Sequence, residues 1–293
     1  MNEVGFCLMS LGRLDQAKQF LERAYPIMHS IMNDLSNASR ICLNHSELYA
    51  LKGDLDQSVE RARLALELSI EAKDKEEERN SVIRIAIAEH LMGDLAAASN
   101  DFKKVEALER INCSNEHLYG LKGIQHADHL MRIGDEICAQ EVTRVNLAIC
   151  ESMHWLADIS RCHRVLGDLK GNAGDHNNAR KHYNEALKIV REITYRQVLI
   201  ETLLARGRWS AKHMKNAIEA FDDLDEALDS ATTGGFRILE ADIRVALAWA
   251  NLAAGNNEKA KAEAMRAKQM SDKMGYYWGK KDADEVLTEI EKA

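Results

Sequence analysis

Residues 166–186 read LGDLKGNAGDHNNARKHYNEA, which predicts two helices joined by a tight turn. Gly174 stands where a left-handed residue would cap the first helix. Asp175 follows it, and its carboxylate can accept hydrogen bonds from the free amides that begin the second helix. Packing residues then recur at helical spacing, at Ala179, Tyr183 and Ala186. The stretch therefore predicts a helical hairpin whose two helices approach closely.

The same turn recurs through the chain at intervals of about 40 residues. In each copy an amphipathic helix runs into a glycine, an acidic or amide residue usually follows, and a small residue stands early in the next helix. The turn glycines are Gly12, Gly53, Gly93, Gly134, Gly174 and Gly255. One turn is missing between the last two, and we place it at Lys212, with Ala217 as its small residue.

This pattern resembles the tetratricopeptide repeat, a helical hairpin with a standard period of about 34 residues. The clearest copy has, in the family's order, Leu166-Gly167, Gly174-Asp175, Ala179, Tyr183 and Ala186. It departs from the family at His163 and Lys170, where a large aromatic residue is usual, and proline is absent from the repeat ends. The longer period resembles the variety found in kinesin light chains and in the C-terminal arms of STAND-type signalling ATPases and transcription regulators.

The resemblance implies an all-α fold: a TPR-like α-solenoid of about seven helical hairpins in an elongated right-handed superhelix, forming a single domain over residues 1–293. The expected repeats span about 1–34, 35–74, 75–114, 115–155, 156–194, 195–235 and 236–274. An amphipathic capping helix over 276–292 is expected to cover the last hydrophobic edge. Few residues precede Gly12, so we also expect the chain to be a C-terminal fragment of a larger signalling or regulatory protein.

The composition, with 39 basic and 47 acidic residues, gives a formal net charge of −8. An acidic chain has no general attraction to phosphate backbones or anionic lipid, so nucleic acid and membrane are not expected partners. The sequence has no run of the roughly 18 apolar residues that a membrane span needs. The 6 cysteines show no paired CxxC spacing and indicate reduced thiols, which predicts a cytoplasmic protein.

The sequence contains neither a glycine-rich phosphate loop nor a GxSxG nucleophile elbow. His126, Asp128 and His129 are the best candidates for metal ligands, but on a helix they point in different directions. Cys162 and His163 diverge in the same way, which favours a buried structural cysteine over a nucleophile. We therefore predict no enzyme activity, no cofactor and no metal.

First helices line the concave surface of a stacked hairpin array, so a binding groove would use first-helix residues turned away from the hairpin core. Counting these positions back from each turn, one per helical turn, gives a stripe that is apolar toward both ends and charged in the middle. The candidate groove residues are Ile83, Ile87, His90, Asp128, Met131, Arg161, Arg164, Asp168, Arg206, Trp209, Asp242, Val245 and Trp249. Packing between neighbouring repeats is the alternative role for this stripe.

Two functions fit such a groove. The first is a non-catalytic scaffold that binds a protein or peptide segment, with tryptophans as anchors and arginines holding an acidic segment or a C-terminal carboxylate. The second is a small-ligand or peptide sensing arm, as the resemblance to STAND-type regulators implies. The sequence identifies neither the partner nor the oligomeric state.

Overall fold

The computed structural model describes residues 1–113 and 117–292, and these ranges are helical without a strand. The α-helices are α1 (Asn2–Ser10), α2 (Leu14–Pro26), α3 (Leu35–Leu51), α4 (Leu55–Glu71), α5 (Lys75–Met92), α6 (Leu95–Cys113), α7 (Leu121–Arg132), α8 (Glu136–Met153), α9 (Leu156–Asn172), α10 (His176–Glu192), α11 (Arg196–Lys212), α12 (Ala217–Gly234), α13 (Arg237–Ala253), α14 (Asn257–Met274) and α15 (Tyr277–Lys292). A π-helical turn, Ile27–Ile31, links α2 to α3. The described helices pair in order into seven hairpins followed by a capping helix, which is the predicted TPR-like α-solenoid.

Most hairpin turns are built as the sequence predicts. The six turn glycines have φ between 72° and 91°, a backbone region that strains any residue carrying a Cβ atom. In the α9–α10 hairpin, Asp175 accepts a hydrogen bond from the backbone N–H of Asn178 at 3.3 Å and so caps α10. Ala179, Tyr183 and Ala186 are all buried against the first helix of their hairpin or its neighbours. Local capping and small-residue packing therefore explain the repeated unit.

The sixth hairpin turns at Lys215, and the predicted position at Lys212 was wrong. Lys215 has φ 53°, and Asn216 caps α12 by accepting a hydrogen bond from the backbone N–H of Glu219 at 3.3 Å. The small residue of this hairpin is Ala220, which is fully buried. The error arose because this turn has no glycine to mark it, and two lysines stand near the expected spacing.

The solenoid is tightly wound, so that successive turns of the superhelix contact each other and the chain is less elongated than expected. Side chains from the C-terminal part of the chain pack over the turn glycines of the first three hairpins. A Cβ atom added at Gly93 would lie 2.6 Å from Cγ of Tyr277, and one added at Gly53 would lie 2.8 Å from Cγ of Met274. Gly12 is approached in the same way by the side chain of Arg196. These glycines permit both the turn and the close approach of the next superhelical turn.

One continuous hydrophobic core joins the two ends of the chain. It contains Leu8 and Leu21 of the first hairpin together with Leu203 of α11 and Ile243 of α13. Val286 of the capping helix is fully buried in the same core. The capping helix begins at Tyr277. It packs on α13 and α14 of the seventh hairpin, where the sequence places it, and it also touches α5 of the third.

Three further expectations concern a repeat boundary, the cysteines and membrane-spanning segments. The predicted boundary between the third and fourth repeats, at residues 114 and 115, and the side chain of Cys113 lie outside the described residues. The described cysteines form no disulfide: Cys7, Cys42, Cys138, Cys150 and Cys162 are free thiols. In the described ranges, every helix is too short or too polar to cross a membrane.

Candidate functional site

A cavity of about 260 Å³ lies inside the solenoid, and we call it the inner channel. Its walls are the first helices of the third to seventh hairpins, α5, α7, α9, α11 and α13, together with the residue that precedes α15. Among the candidate groove residues, the structure places seven on these walls: His90, Asp128, Met131, Arg161, Arg164, Asp168 and Asp242. The channel thus corresponds to the concave surface of the solenoid.

Arg164 is held in the channel wall by two carboxylates. Its Nη1 and Nη2 donate to both oxygens of Asp128 on α7 at 2.8 and 2.7 Å, and Nη1 also donates to Asp168 at 3.2 Å. Asp168 in turn accepts a hydrogen bond from the Tyr183 hydroxyl at 2.9 Å. The Arg164 side chain is 12% exposed, so its charge is already neutralised inside the fold by a bidentate pair.

Arg161 has an equally structural environment. It is 3% exposed, and its Nε donates to Glu201 on α11 at 2.8 Å. Its guanidinium carbon also lies 5.2 Å from the centre of the Tyr195 ring. Arg161 therefore ties α9 to α11, as Arg164 ties α9 to α7. Their contacts do not support the predicted role of these two arginines in holding an acidic segment.

A second cavity, of about 320 Å³, adjoins the inner channel. The two cavities share four lining residues: Met131, Arg132, Asp168 and Arg208. We call the second cavity the tryptophan pocket after three of its lining residues, Trp209, Trp249 and Trp278. These indoles come from α11, α13 and α15, and the candidate residue Val245 also lines the pocket. The capping helix therefore completes a site begun by two hairpins.

Cations lie over the rings of the tryptophan pocket. The Arg132 guanidinium carbon and the Lys281 Nζ are 4.8 and 5.0 Å from the centre of the Trp278 ring. The Lys212 Nζ is 5.0 Å from the centre of the Trp249 ring. Lys281 is exposed and has no carboxylate partner among the described residues. The pocket therefore combines apolar ring surface with a cation that is available to a ligand.

Two indole N–H groups of the pocket are unusual for buried donors. Trp209 and Trp278 are each 2% exposed, and neither Nε1 has a hydrogen-bond partner among the described residues. A buried donor without an acceptor costs about 1–3 kcal/mol. Both Nε1 atoms are shielded from the cavity by neighbouring side chains, so a ligand acceptor would reach them only after those side chains shift.

Asp242 stands on the channel wall beside a second ion pair. Both of its carboxylate oxygens accept from the Tyr276 hydroxyl, at 3.0 and 3.1 Å. Arg132 donates from Nη1 and Nη2 to Asp282 at 3.0 and 2.8 Å, which joins α7 to α15. Burial, together with repulsion from Asp282, raises the pKa of Asp242 to about 7. This carboxyl group is therefore divided between its neutral and charged forms near neutral pH.

Ile83 and Ile87 line neither cavity. Ile83 is 3% exposed and belongs to a core cluster with Phe102 of α6 and Leu118, and Ile87 packs against the same cluster. Their placement matches the alternative that the sequence left open, which is packing between repeats.

Arg206 also lies outside both cavities. Its Nε and Nη2 donate to the two oxygens of Asp223 on α12 at 2.7 and 2.6 Å, and Nη1 donates to Asn184 on α10 at 2.9 Å. The reason is the misplaced sixth turn, because moving the turn from Lys212 to Lys215 shifts the outward stripe of α11 and takes Arg206 off it. The same shift leaves Trp209 on the stripe.

Of the three metal-ligand candidates, His126 and His129 lie on the same side of α7, where both rings contact Phe102, and Asp128 points away from them. His126 stacks on Phe102 with ring centres 4.9 Å apart, and the Nε2 atom of His129 lies 2.7 Å from the Ser99 hydroxyl oxygen. Asp128 is paired with an arginine of α9. Within the described part of the chain, no group of three or more His, Cys, Asp or Glu side chains could hold a metal ion.

The side chains of Cys162 and His163 point in different directions, as the sequence predicts. Cys162 is fully buried in the core between α8 and α9. The His163 ring turns to His182 of α10, with 3.0 Å between the two Nδ1 atoms. The imidazole therefore orients no thiolate.

Sequence reasoning missed the residues that the capping helix brings to the site. Trp278, Lys281 and Asp282 lie on one face of α15 and line the tryptophan pocket. Their spacing of three to four residues was a usable signal, because it marks a second, polar and aromatic stripe on an otherwise amphipathic helix. Arg132 and Arg208 were missed because they lie beside the predicted stripe.

Comparison with known proteins agrees with this architecture. The family model described as tetratricopeptide repeat matches residues 1–25 and 165–191, which are the first hairpin and most of the α9–α10 hairpin. These two segments match the tetratricopeptide repeat. No curated protein matches its sequence.

Solved structures show the same fold at low sequence identity. A Rap protein complexed with competence and sporulation factor is 12% identical with a TM-score of 0.60, and the match covers 99% of this chain and 96% of that one. NprR in complex with its cognate peptide NprX is 15% identical with a TM-score of 0.62, covering 97% and 79%. The Cut9–Hcn1 hetero-tetramer of APC/C is 15% identical with a TM-score of 0.57, covering 97% and 54%. These similarities show a shared repeat solenoid.

Proposed function

We propose that this chain is a non-catalytic scaffold that binds a short peptide or protein segment in the inner channel and the tryptophan pocket. The observation that carries the proposal is the tryptophan pocket itself, where three indole rings and an exposed lysine adjoin the inner channel. Binding pockets are typically apolar cavities with a few well-placed polar groups. A peptide segment could place its side chains in the tryptophan pocket while its backbone lies in the inner channel.

The tight winding of the solenoid favours a short segment. Cavities of about 260 and 320 Å³ suit a few side chains, whereas an open concave groove would accept a long helix. The titles of two structural neighbours name a factor and a cognate peptide as their bound partners. At such low identity this likeness supports the proposal through the fold alone.

We place any acidic or C-terminal carboxylate group of the segment near Arg208 and Lys281. Arg208 is 33% exposed and lies 3.6 Å from its carboxylate partner Asp168, so its pairing is looser than that of the arginines in α9. Lys281 is exposed. These two cations can reach a ligand without breaking a buried ion pair.

The alternative function is a small-ligand sensing arm of a STAND-type regulator. In this alternative the ligand of the same two cavities is a metabolite and not a peptide segment. The long-repeat variety, a C-terminal position in a larger protein and a cytoplasmic location belong to the same set of proposals, and they rest on the sequence pattern.

Affinity selection from a randomised hexapeptide pool and from a metabolite pool tests both functions. For peptides recovered with the wild type, Arg208→Ala and Lys281→Ala should each weaken binding by about tenfold, equivalent to about 1.4 kcal/mol. Lys181→Ala and Lys261→Ala serve as matched controls, because both side chains are exposed on second helices away from the channel. Equal affinity in all four variants would exclude the proposed site, and selection of metabolites alone would support the sensing arm.

A further inference from the structure

Four carboxylates line the inner channel, and three of them are paired with arginines. The paired carboxylates are Asp128, Asp168 and Glu201. Asp242 is the fourth, and no lysine or arginine among the described residues comes within ion-pair distance of it. Among the described residues, Asp242 is therefore the channel carboxylate that forms no direct ion pair.

The neighbours of Asp242 explain why it stays unpaired. The bidentate fork of Arg132 is directed to Asp282, at 3.0 and 2.8 Å. Arg208 points toward Asp168. The Tyr276 hydroxyl is the donor to Asp242, and one hydroxyl supplies one hydrogen to a carboxylate that can accept about four hydrogen bonds. Most of the acceptor capacity of Asp242 is thus unused on the channel wall.

A partly buried carboxylate in this position has a defined chemical preference. Desolvation makes the charged form of the carboxylate unfavourable. A cationic hydrogen-bond donor stabilises that charged form more than a neutral donor does. Neutral amides can donate to the same oxygens but bring no compensating charge. Cationic ligands should therefore gain more from Asp242 than neutral ones.

We propose that Asp242 binds an ammonium or guanidinium group of the segment in the inner channel. This inference rests on the proposed function and adds the chemistry of the ligand. The cation has two possible sources, the free N-terminal amine of a peptide or a Lys or Arg side chain.

The proposal implies that binding depends on pH. The charged groups that face Asp242 are Arg132 from α7, Arg208 from α11 and Asp282 from α15, and the neutral, titratable group is the Tyr276 hydroxyl that precedes α15. The pKa of Asp242 is raised to about 7, so the group is partly protonated in the unbound protein at neutral pH. A bound cation favours the ionised form, so binding should strengthen as pH rises through 7 and should release a fraction of a proton.

The test uses hexapeptides recovered from the randomised pool with the full chain. Each is synthesised in three forms: with a free N-terminus, with an acetylated N-terminus, and with every Lys or Arg replaced by Gln. Titration calorimetry at pH 7 in two buffers of different ionisation enthalpy measures both affinity and proton release. We expect one of the two neutralised forms to bind at least about tenfold more weakly to the wild type, and the form that weakens identifies the source of the cation.

Asp242→Asn is the decisive variant, because it keeps the size of a side chain whose neutral form is already populated. It should remove the preference for the cationic form and the proton release, whereas Asp242→Glu should retain both. Tyr276→Phe removes a hydrogen bond that lowers the pKa of Asp242, so its binding should weaken at pH 7 and recover at higher pH.

The outcomes separate the two proposals. If both neutralised peptides bind the wild type as tightly as the cationic form, and Asp242→Asn changes nothing, the cation site is wrong while the peptide scaffold stands. If the full chain selects no peptide from the pool, both proposals fail.

Discussion

The two walls of the cavity system use charge in opposite ways. On the α7–α9 side, Arg164 is bound on both sides by carboxylates and is 12% exposed. On the α11–α15 side, Lys281 lies over an indole ring without a carboxylate partner among the described residues. The first wall is closed by its own ion pairs, and the second still has charge and hydrogen-bonding capacity for a ligand. The difference arises because a neighbouring helix supplies the counter-charge to Arg164, whereas Lys281 has no such carboxylate among the described residues.

Ion pairs between neighbouring repeats form a ladder along the solenoid. Arg40 pairs with Glu77, 37 residues away, and Arg164 pairs with Asp128, 36 residues away. The Arg161–Glu201 pair has a separation of 40 residues. Because the repeat period brings such positions side by side on adjacent helices, opposite charges about one repeat apart indicate a structural pair.

The largest expected effect is on the capping helix, which supports the second wall. Ending the chain after Gly275 removes the buried side chains of Trp278 and Val286 and the ion pair from Arg132 to Asp282. We expect a loss of about 5 kcal/mol or more, because the shared core is opened. Thermal melting followed by circular dichroism measures it. Ending the chain after Glu291 is the control, and equal melting of both shortened proteins would contradict the capping role.

Reversing a charge in the first wall should be the next most damaging change. Arg164→Glu places a third carboxylate between Asp128 and Asp168, and we expect a loss of about 3–5 kcal/mol. Denaturant unfolding measures the change. The double variant Arg164→Met/Asp128→Leu should lose less, since it introduces no buried charge and Asp168 keeps Arg208 and the Tyr183 hydroxyl as partners. An Arg164→Glu protein as stable as the wild type would contradict the structural role of these ion pairs.

Acid should weaken the α5–α8 side of the solenoid. Burial lowers the pKa of His90 to about 3 and that of His126 to about 4, both below their value of about 6.5 in an unfolded chain. The unfolded state then binds more protons, so stability should fall as pH drops from 6.5 toward 4, by about 1–2 kcal/mol per buried histidine. His126→Phe preserves the stacking on Phe102 and should flatten this pH dependence of the unfolding free energy. An unchanged slope would argue against the buried neutral histidine.

The smallest effect is expected at an exposed rung of the ladder. Arg191 pairs with Glu226, and the two side chains are 52% and 40% exposed. Arg191→Ala should cost about 0.5 kcal/mol or less, because solvent screens the pair. Denaturant unfolding at low and high salt checks this value. A loss as large as that of Arg164→Glu would remove the distinction between buried and exposed rungs.

The hairpins could be predicted from the sequence because their signals are local. Gly174, Asp175 and the small residues that follow act within one turn of their own helices. The tight winding could not be predicted, because it depends on the accumulated rotation of seven hairpins. Nothing local relates Tyr277 to Gly93. The tryptophan pocket could not be predicted for the same reason, because it forms only where α15 packs beside α7.

The candidate site was predicted in part. The outward stripe placed Trp209, Trp249 and Asp242 beside the cavities, since first-helix orientation follows from helical periodicity. The sequence did not reveal that Arg161 and Arg164 are held in ion pairs. Helical periodicity gives the direction in which a side chain points, and it does not identify the residue that the side chain contacts. The ladder spacing would have identified their carboxylates.

The contacts between successive turns of the superhelix also limit how this protein can change in length. An open repeat array tolerates duplication or loss of an internal hairpin, because each unit touches only its neighbours. Here the loss of one hairpin would carry Met274 and Tyr277 away from Gly53 and Gly93. Losing or duplicating an internal hairpin would therefore change which residue lies over each of these turn glycines, and the contacts between successive turns of the superhelix would have to be rebuilt.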